Sequence, residues 1–204
     1  MVRQIQRALQ GAGLRVIVDG IFGTVTTEAV REFQRNHGLK SDGIVGPATL
    51  AQLIPVRWKR SRRVINEIIV HCTDTPEGRN HTVADIRAWH TAPISKGGRG
   101  WSDIGYHYVV DIFGQIMTGR DVDIIGAHCT GHNAHSIGVC YVGGRSRDFS
   151  RTLDTRTPAQ KDSLLMLLRQ LKTLYPNARI YGHHDFCPSK TCPCFDAKNE
   201  YKDI

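Results

Sequence analysis

The chain has no run of 18 consecutive apolar residues, although 40% of its 204 residues are hydrophobic. A helix that crosses a bilayer needs about 20 such residues in a row, so we expect no membrane insertion. The first residues, Met1-Val2-Arg3-Gln4, do not lead into the apolar segment of a secretory leader. We therefore expect the protein to be made in the cytoplasm without a signal peptide.

Cysteine is absent from the first 71 residues, and all six cysteines lie in the rest of the chain. In a chain without an export signal, cysteines are expected to be thiols and not a disulfide framework. They are Cys72, Cys129, Cys140, Cys187, Cys192 and Cys194.

Acidic residues are in deficit, since 19 Asp and Glu stand against 27 Lys and Arg, which gives a formal net charge of +8. Such an excess of positive charge favours a polyanionic partner. Nucleic acid, an anionic cell wall and an acidic membrane surface all qualify, and charge alone does not choose among them.

Residues 1–54 are predicted to form a small three-helix, all-α module. Apolar residues recur at helical spacing over residues 2–9, and glycines then end the helix. Thr24 is expected to cap the second helix, and Pro47 suits the first turn of a third, short helix. The two turns between the helices repeat one motif, as Asp19-Gly20-Ile21-Phe22-Gly23 and Asp42-Gly43-Ile44-Val45-Gly46.

Residues 55–63 carry five basic side chains and few apolar ones, which predicts a basic linker. Strand and helix patterns alternate from residue 64 onwards. A β-branched, apolar run over residues 64–70 predicts a buried strand that delivers His71 at its end. Thr157 opens a long helix with a capping-box pattern. Residues 64–204 are therefore predicted to be an α/β domain with a mixed central sheet flanked by helices.

A short loop near the end of the chain collects metal-ligand side chains, and His71 lies far upstream of it. A distant histidine with a close His and Cys pair is typical of a catalytic zinc site with three protein ligands. His71, His183 and Cys192 are the predicted ligands. Spacing alone leaves three alternatives open on the same loop: His184, Cys187 and Cys194.

Two family resemblances follow from these motifs. Residues 2–54 resemble the peptidoglycan-binding domain found beside many cell-wall hydrolases, through the doubled turns and Ala29-Val30-x-x-Phe33-Gln34. Residues 64–196 resemble the zinc-dependent type-2 N-acetylmuramoyl-L-alanine amidases, the superfamily that includes peptidoglycan recognition proteins and short phage lysozymes. The matching segments, in family order, are Ile69-Val70-His71-Cys72-Thr73, Trp101-Ser102-Asp103-Ile104-Gly105-Tyr106-His107-Tyr108, Gly126-Ala127-His128, His132-Asn133, Ser136-Ile137-Gly138-Val139-Cys140, Gly182-His183-His184-Asp185 and Lys190-Thr191-Cys192-Pro193.

The amidase resemblance implies roles for individual residues. Its pattern selects His183 and Cys192 as metal ligands beside His71, with one zinc ion per chain. It implies that Lys190 stabilises a tetrahedral oxyanion and that Tyr106 orients the attacking water or relays its proton. The loop before Lys190 is one residue longer here than in the phage enzymes of the family.

The same resemblance implies that three further residues line the substrate groove: His128, His132 and Asn133. The alternative interpretation is that these three residues only fix backbone turns.

The implied function is a peptidoglycan hydrolase of the endolysin type, which cleaves the amide bond between N-acetylmuramic acid and L-alanine. We expect it to bind peptidoglycan, to act on the cell wall after release by lysis or export, and to be a monomer without a nucleic-acid partner.

Two other functions stay open. A recognition protein of the same fold would bind muropeptides without cutting them, but such members lack the thiolate ligand. A zinc-stabilised nucleic-acid-binding protein would explain the charge and the clustered Cys and His. It would need a closed site with four ligands.

Overall fold

The computed structural model describes residues 2–54 and 58–204. The chain divides into two compact units, Met1–Arg57 and Trp58–Ile204. No helix within the described ranges is long and apolar enough to cross a membrane.

The first unit contains three helices: α1 (Val2–Gly11), α2 (Thr24–Asn36) and α3 (Pro47–Leu53). Their apolar faces meet in one core that includes Leu9, Val30 and Phe33. This arrangement matches the helices that the sequence predicts. The predicted cap is wrong in one detail, because Gly23 occupies the N-cap of α2 and no side chain caps that end.

The repeated Asp-Gly turns are each held by a buried glutamine. The Gln6 amide nitrogen donates to Asp19 Oδ1, the Ile21 carbonyl and Thr26 Oγ1 at 2.7, 3.0 and 3.1 Å, and its oxygen accepts from the Gly20 N–H at 2.9 Å. The second turn has the same four bonds around Gln34. They join it to Asp42, Ile44, Thr49 and Gly43. The sequence repeat is therefore a repeat of one hydrogen-bond network.

The second unit is built on a five-stranded sheet with the order β4-β3-β5-β1-β7. β1 pairs in parallel with β5 and β7, β3 pairs in parallel with β5, and β3 and β4 form an antiparallel hairpin. A second, two-stranded parallel sheet joins β2 and β6. The strands are β1 (Glu67–Cys72), β2 (Thr75–Pro76), β3 (Tyr108–Val110), β4 (Ile116–Thr118), β5 (Ser136–Tyr141), β6 (Gly144–Arg145) and β7 (Arg179–Gly182).

Helices pack against this sheet. In α4 (Val83–Thr91), Ile86 joins a buried cluster with Val109 and Val142. In α5 (Pro158–Leu174), four leucines are fully buried, and the Gln160 side chain donates to the Val142 carbonyl at 2.9 Å. The last helix is short, α6 (Ala197–Glu200). The predicted mixed sheet with flanking helices is confirmed.

The predicted basic linker differs from the structure over its second half. Pro55, Val56 and Arg57 lie outside the described residues, whereas Trp58 onwards belongs to the second unit. Lys59 Nζ lies 2.7 Å from Asp123 Oδ2, and the Ser61 N–H donates to the Tyr175 hydroxyl at 2.6 Å. Lys59 is thus paired with the acidic turn around Asp123, which lies too far along the chain for the sequence to reveal the pairing.

Candidate active site

The predicted metal ligands meet at one edge of the sheet. His71 lies in β1, whose neighbour β7 places Gly182 opposite Val70, and His183 follows Gly182 directly. Because the carboxyl ends of parallel strands lie at the same edge of a sheet, the two imidazoles become neighbours, with ring centroids 4.6 Å apart.

Cys192 reaches the same point from the loop that follows β7. Its sulfur lies 3.8 Å from His71 Nδ1, and it accepts the Cys72 backbone N–H at 3.2 Å. The His184 N–H donates to the Cys192 carbonyl at 2.8 Å, which closes the loop. The donor atoms of His71, His183 and Cys192 all lie within 4.8 Å of one another.

This donor set fits zinc. Zinc–nitrogen and zinc–sulfur bonds of about 2.0–2.3 Å in a tetrahedron put neighbouring ligand atoms about 3.5 Å apart, close to the 3.8 Å between His71 Nδ1 and Cys192 Sγ. In the described part of the chain these three donors have no fourth protein ligand grouped with them. A metal held by these three residues would have a coordination position left for water or substrate.

The three alternative ligands have other contacts. His184 Nε2 lies 3.8 Å from Asp185 Oδ1, and Cys187 Sγ lies 3.4 Å from the Ser189 hydroxyl. Cys194 Sγ lies 3.8 Å from Cys72 Sγ. A closed four-ligand site built from these cysteines is absent from the described residues.

His71 is held from behind by a second histidine. Its Nε2 lies 3.0 Å from His128 Nδ1, and His128 Nε2 lies 3.4 Å from the Ser136 hydroxyl. If Nδ1 of His71 holds a metal, its Nε2 carries the proton and donates to His128, whose own Nε2–H then points to Ser136. Outer partners of this kind fix the tautomer and the ring orientation of a ligand.

The His128 ring fits between two glycines. A Cβ added at Gly126 or at Gly138 would lie 2.5 Å from His128 Cδ2, so a side chain at either position would displace the ring. His128 is 8% exposed. This buried position behind His71 indicates that His128 orients the His71 ring. The sequence pattern did not point to Ser136 in this role, although Ser136 and Gly138 fall within a matched segment.

The other two predicted groove residues lie on the turn before β5. Asn133 Oδ1 accepts the backbone N–H groups of His128 and Cys129, both at 2.9 Å, and so fixes the turn that carries His128. His132 stacks on Phe186, with ring centroids 3.7 Å apart, and its Nδ1 lies 2.9 Å from Glu67 Oε2. Contact of these residues with substrate stays a prediction.

Tyr106 lies beside His71, and Lys190 acts on His183 through its charge. The Tyr106 ring centroid lies 5.2 Å from that of His71. Burial raises the pKa of Tyr106 well above its usual value of 10.0. The pKa of His183 is lowered, first by the burial of His183 and then by the positive charge of Lys190. Lys190 itself is exposed.

Burial keeps the histidines of the site neutral. It is the main cause that lowers the pKa of His71 and of His128 well below the usual 6.5, and neighbouring histidines add to the effect. A neutral imidazole offers the lone pair that a metal ion requires.

Comparisons with known proteins identify the family. Residues 61–195 match the N-acetylmuramoyl-L-alanine amidase family. The chain belongs to this family. Residues 1–53 match a putative peptidoglycan binding domain. The amidase is thus a hydrolase of the bond that joins N-acetylmuramic acid to the L-alanine of peptidoglycan, as the motifs predicted.

Individual relatives lead to the same family. The amidase is 40% identical to the endolysin of Escherichia phage T7 over 68% of its own length and 87% of that protein. It is 39% identical to the endolysin of Klebsiella phage KP32, over 67% and 85% of the two chains. Among solved structures, the N-acetylmuramoyl-L-alanine amidase LysC from Clostridium intestinale superposes with a TM-score of 0.53 at 29% identity, covering 71% of this chain and 90% of that one.

Proposed function

We propose that the protein is a zinc-dependent endolysin whose metal is held by His71, His183 and Cys192. The convergence of two imidazoles and one sulfur within 4.8 Å supports this proposal most directly. The phage endolysins that it resembles add the biological setting. The proposed role is lysis of the bacterial cell wall from inside, after release through a breached membrane or by export.

Each side chain near the donors has a task in amide hydrolysis. A zinc ion at this position would supply Lewis-acid chemistry, which makes water nucleophilic near neutral pH and polarises the amide carbonyl. Lys190 donates a charged hydrogen bond to the oxyanion that develops at the carbonyl oxygen when the carbonyl carbon is attacked. Tyr106, kept as a neutral phenol by burial, donates its hydrogen bond to the water or to the leaving amine. His128 holds His71 in the tautomer that faces the metal.

The first unit is proposed to hold the enzyme on intact peptidoglycan. A surface cavity of about 490 Å³ lies beside the start of α2, lined by Leu14, Arg15 and Glu28 among others. The repeated turns also expose apolar side chains, including Ile21 and Ile44, both 67% exposed. Apolar side chains next to polar ones are suited to sugar rings, and a separate binding unit raises the local concentration of the enzyme on its polymer. We propose a monomer with peptidoglycan as its one macromolecular partner.

Replacement of one sulfur tests the metal assignment. Cys192→Ser is expected to bind one equivalent of zinc fewer than the parent and to lose amide cleavage, while it still binds sacculi through the first unit. Cys187→Ser is the matched control, because Cys187 lies on the same loop and its sulfur contacts only a serine hydroxyl among the described hydrogen bonds. Full zinc content and activity in Cys192→Ser, or loss of both in Cys187→Ser, would contradict the assignment.

A further inference from the structure

A second group of metal-ligand side chains lies at the other end of β1. Glu67 begins β1, and the parallel register places it opposite Ser136, the first residue of β5. His132 and His135 lie on the turn that leads into Ser136. The Asn66 N–H donates to the His135 carbonyl at 2.8 Å, so the turn is joined to the start of β1 by the backbone as well.

The three side chains converge on one point. Glu67 Oε2 lies 2.9 Å from His132 Nδ1 and 3.5 Å from His135 Nε2. All three ligand atoms lie within 4.8 Å of one another. Metal–ligand bonds of about 2.0–2.2 Å to nitrogen and oxygen require separations of about 3–4 Å between ligand atoms. One ion therefore fits between them after small rotations of the side chains.

Neighbouring residues hold the group in place. Phe186 stacks on His132 with an interplanar angle of 28°. The Arg63 guanidinium donates to the carbonyls of Asn133 and Ala134 at 3.0 and 3.2 Å, which anchors the turn between the two histidines. The side chains are accessible to an ion from solvent, since Glu67 is 15%, His132 29% and His135 38% exposed.

We propose that Glu67, His132 and His135 form a second site, which binds a divalent transition-metal ion. Two imidazoles and one carboxylate are a donor set for Zn²⁺, Co²⁺ or Ni²⁺, whereas Mg²⁺ and Ca²⁺ prefer oxygen alone. None of these ligands belongs to the amidase centre. The second ion joins the start of β1 to the turn that carries His128, and its remaining coordination positions face solvent.

Cobalt distinguishes the two sites in the full-length protein. Metal-free protein is titrated with Co²⁺ while bound metal and the absorption spectrum are recorded. The amidase centre contains a thiolate and gives a sulfur-to-cobalt charge-transfer band, whereas the second site has no sulfur and gives only ligand-field absorption. We expect two bound equivalents, of which one develops without the charge-transfer band.

Two variants assign the second equivalent. Glu67→Gln and His135→Ala are each expected to bind one equivalent of Co²⁺ and to keep the charge-transfer band. His81→Ala is the control, since His81 packs on Trp89 and belongs to neither metal group, and this variant is expected to bind two equivalents. Amidase activity is not the readout here, because His132 is a candidate groove residue. Uptake of a single equivalent, accompanied by the charge-transfer band, by the unmodified protein overturns the proposal, and so does a second equivalent that persists in both Glu67→Gln and His135→Ala.

Discussion

Removal of the His128 ring is expected to weaken zinc binding without touching a ligand. With a metal at Nδ1, His71 must carry its proton on Nε2, and that N–H donates a hydrogen bond to His128 Nδ1, with 3.0 Å between the two nitrogens. Both side chains are buried, since His71 is 1% and His128 8% exposed. In His128→Leu the His71 N–H has no such acceptor and little access to water.

The size of the effect follows from that lost bond. A buried donor left without a partner costs about 1–3 kcal/mol. Metal-free His71 avoids much of this cost because its proton can move to Nδ1, but metal at Nδ1 forbids that tautomer. The cost therefore falls mainly on the bound state, and 1.4 kcal/mol corresponds to about a tenfold change in affinity. We expect zinc to bind about 10–100-fold more weakly, as is usual for loss of an outer partner.

Competition with a chromophoric chelator measures this change. His107→Leu is the matched control, because His107 is also buried and its Nδ1 accepts the Gly138 N–H at 2.9 Å without bonding to a ligand. Both variants should be less stable than the parent, but only His128→Leu should lose affinity for zinc. Unchanged affinity in His128→Leu, or an equal fall in His107→Leu, would refute the reasoning.

Three other predictions address the first unit, a partly buried ion pair and the proposed role of Tyr106. Gln34→Leu removes four hydrogen bonds, about 4 kcal/mol in all, so circular dichroism of the isolated first unit should show it largely unfolded; a cooperative transition near that of the parent would contradict this. Hydrogen bonding from Arg156 lowers the pKa of Glu200 below 4.5. The ion pair therefore stabilises the folded protein fully above pH 4.5, and this stabilisation is lost as the pH falls through the lowered pKa of Glu200. The stability difference between the parent and Arg156→Met, from urea unfolding, should therefore shrink in acid, and a constant difference would count against the ion pair. Tyr106→Phe should lower kcat with zinc content unchanged, whereas a variant as active as the parent would remove Tyr106 from the mechanism.

Much of the fold could be predicted because local signals and tertiary structure agree. The capping box at Thr157 and the apolar stripe behind it define α5, and the side chain of Thr157 accepts the Gln160 N–H as that pattern requires. The start of α2 was harder to place, since Thr24 is a good cap by residue type but the chain enters the helix at Gly23. The basic segment before residue 64 also differs, because its partners Asp121 and Asp123 are about 60 residues away in the sequence and only the fold brings them together.

The candidate site likewise has residues that the sequence predicts and others that only the fold brings together. His71, His183 and Cys192 occur in motifs, and parallel pairing of β1 with β7 brings the two histidines together. The position of His128 behind His71 depends on the packing of Gly126 and Gly138 around its ring, which no spacing rule describes. The sequence did not predict the second site either, because Glu67 meets His132 and His135 only through the register of β1 with β5.

The central claim is that this chain cleaves the lactyl–alanine amide of peptidoglycan with a metal held at His71, His183 and Cys192. The most direct measurement is digestion of purified peptidoglycan with and without a zinc chelator, followed by analysis of new end groups. We predict new amino termini of L-alanine on intact glycan strands, abolished by the chelator and restored by zinc. Tight binding to the wall without new ends, or new reducing sugar ends, would contradict the account.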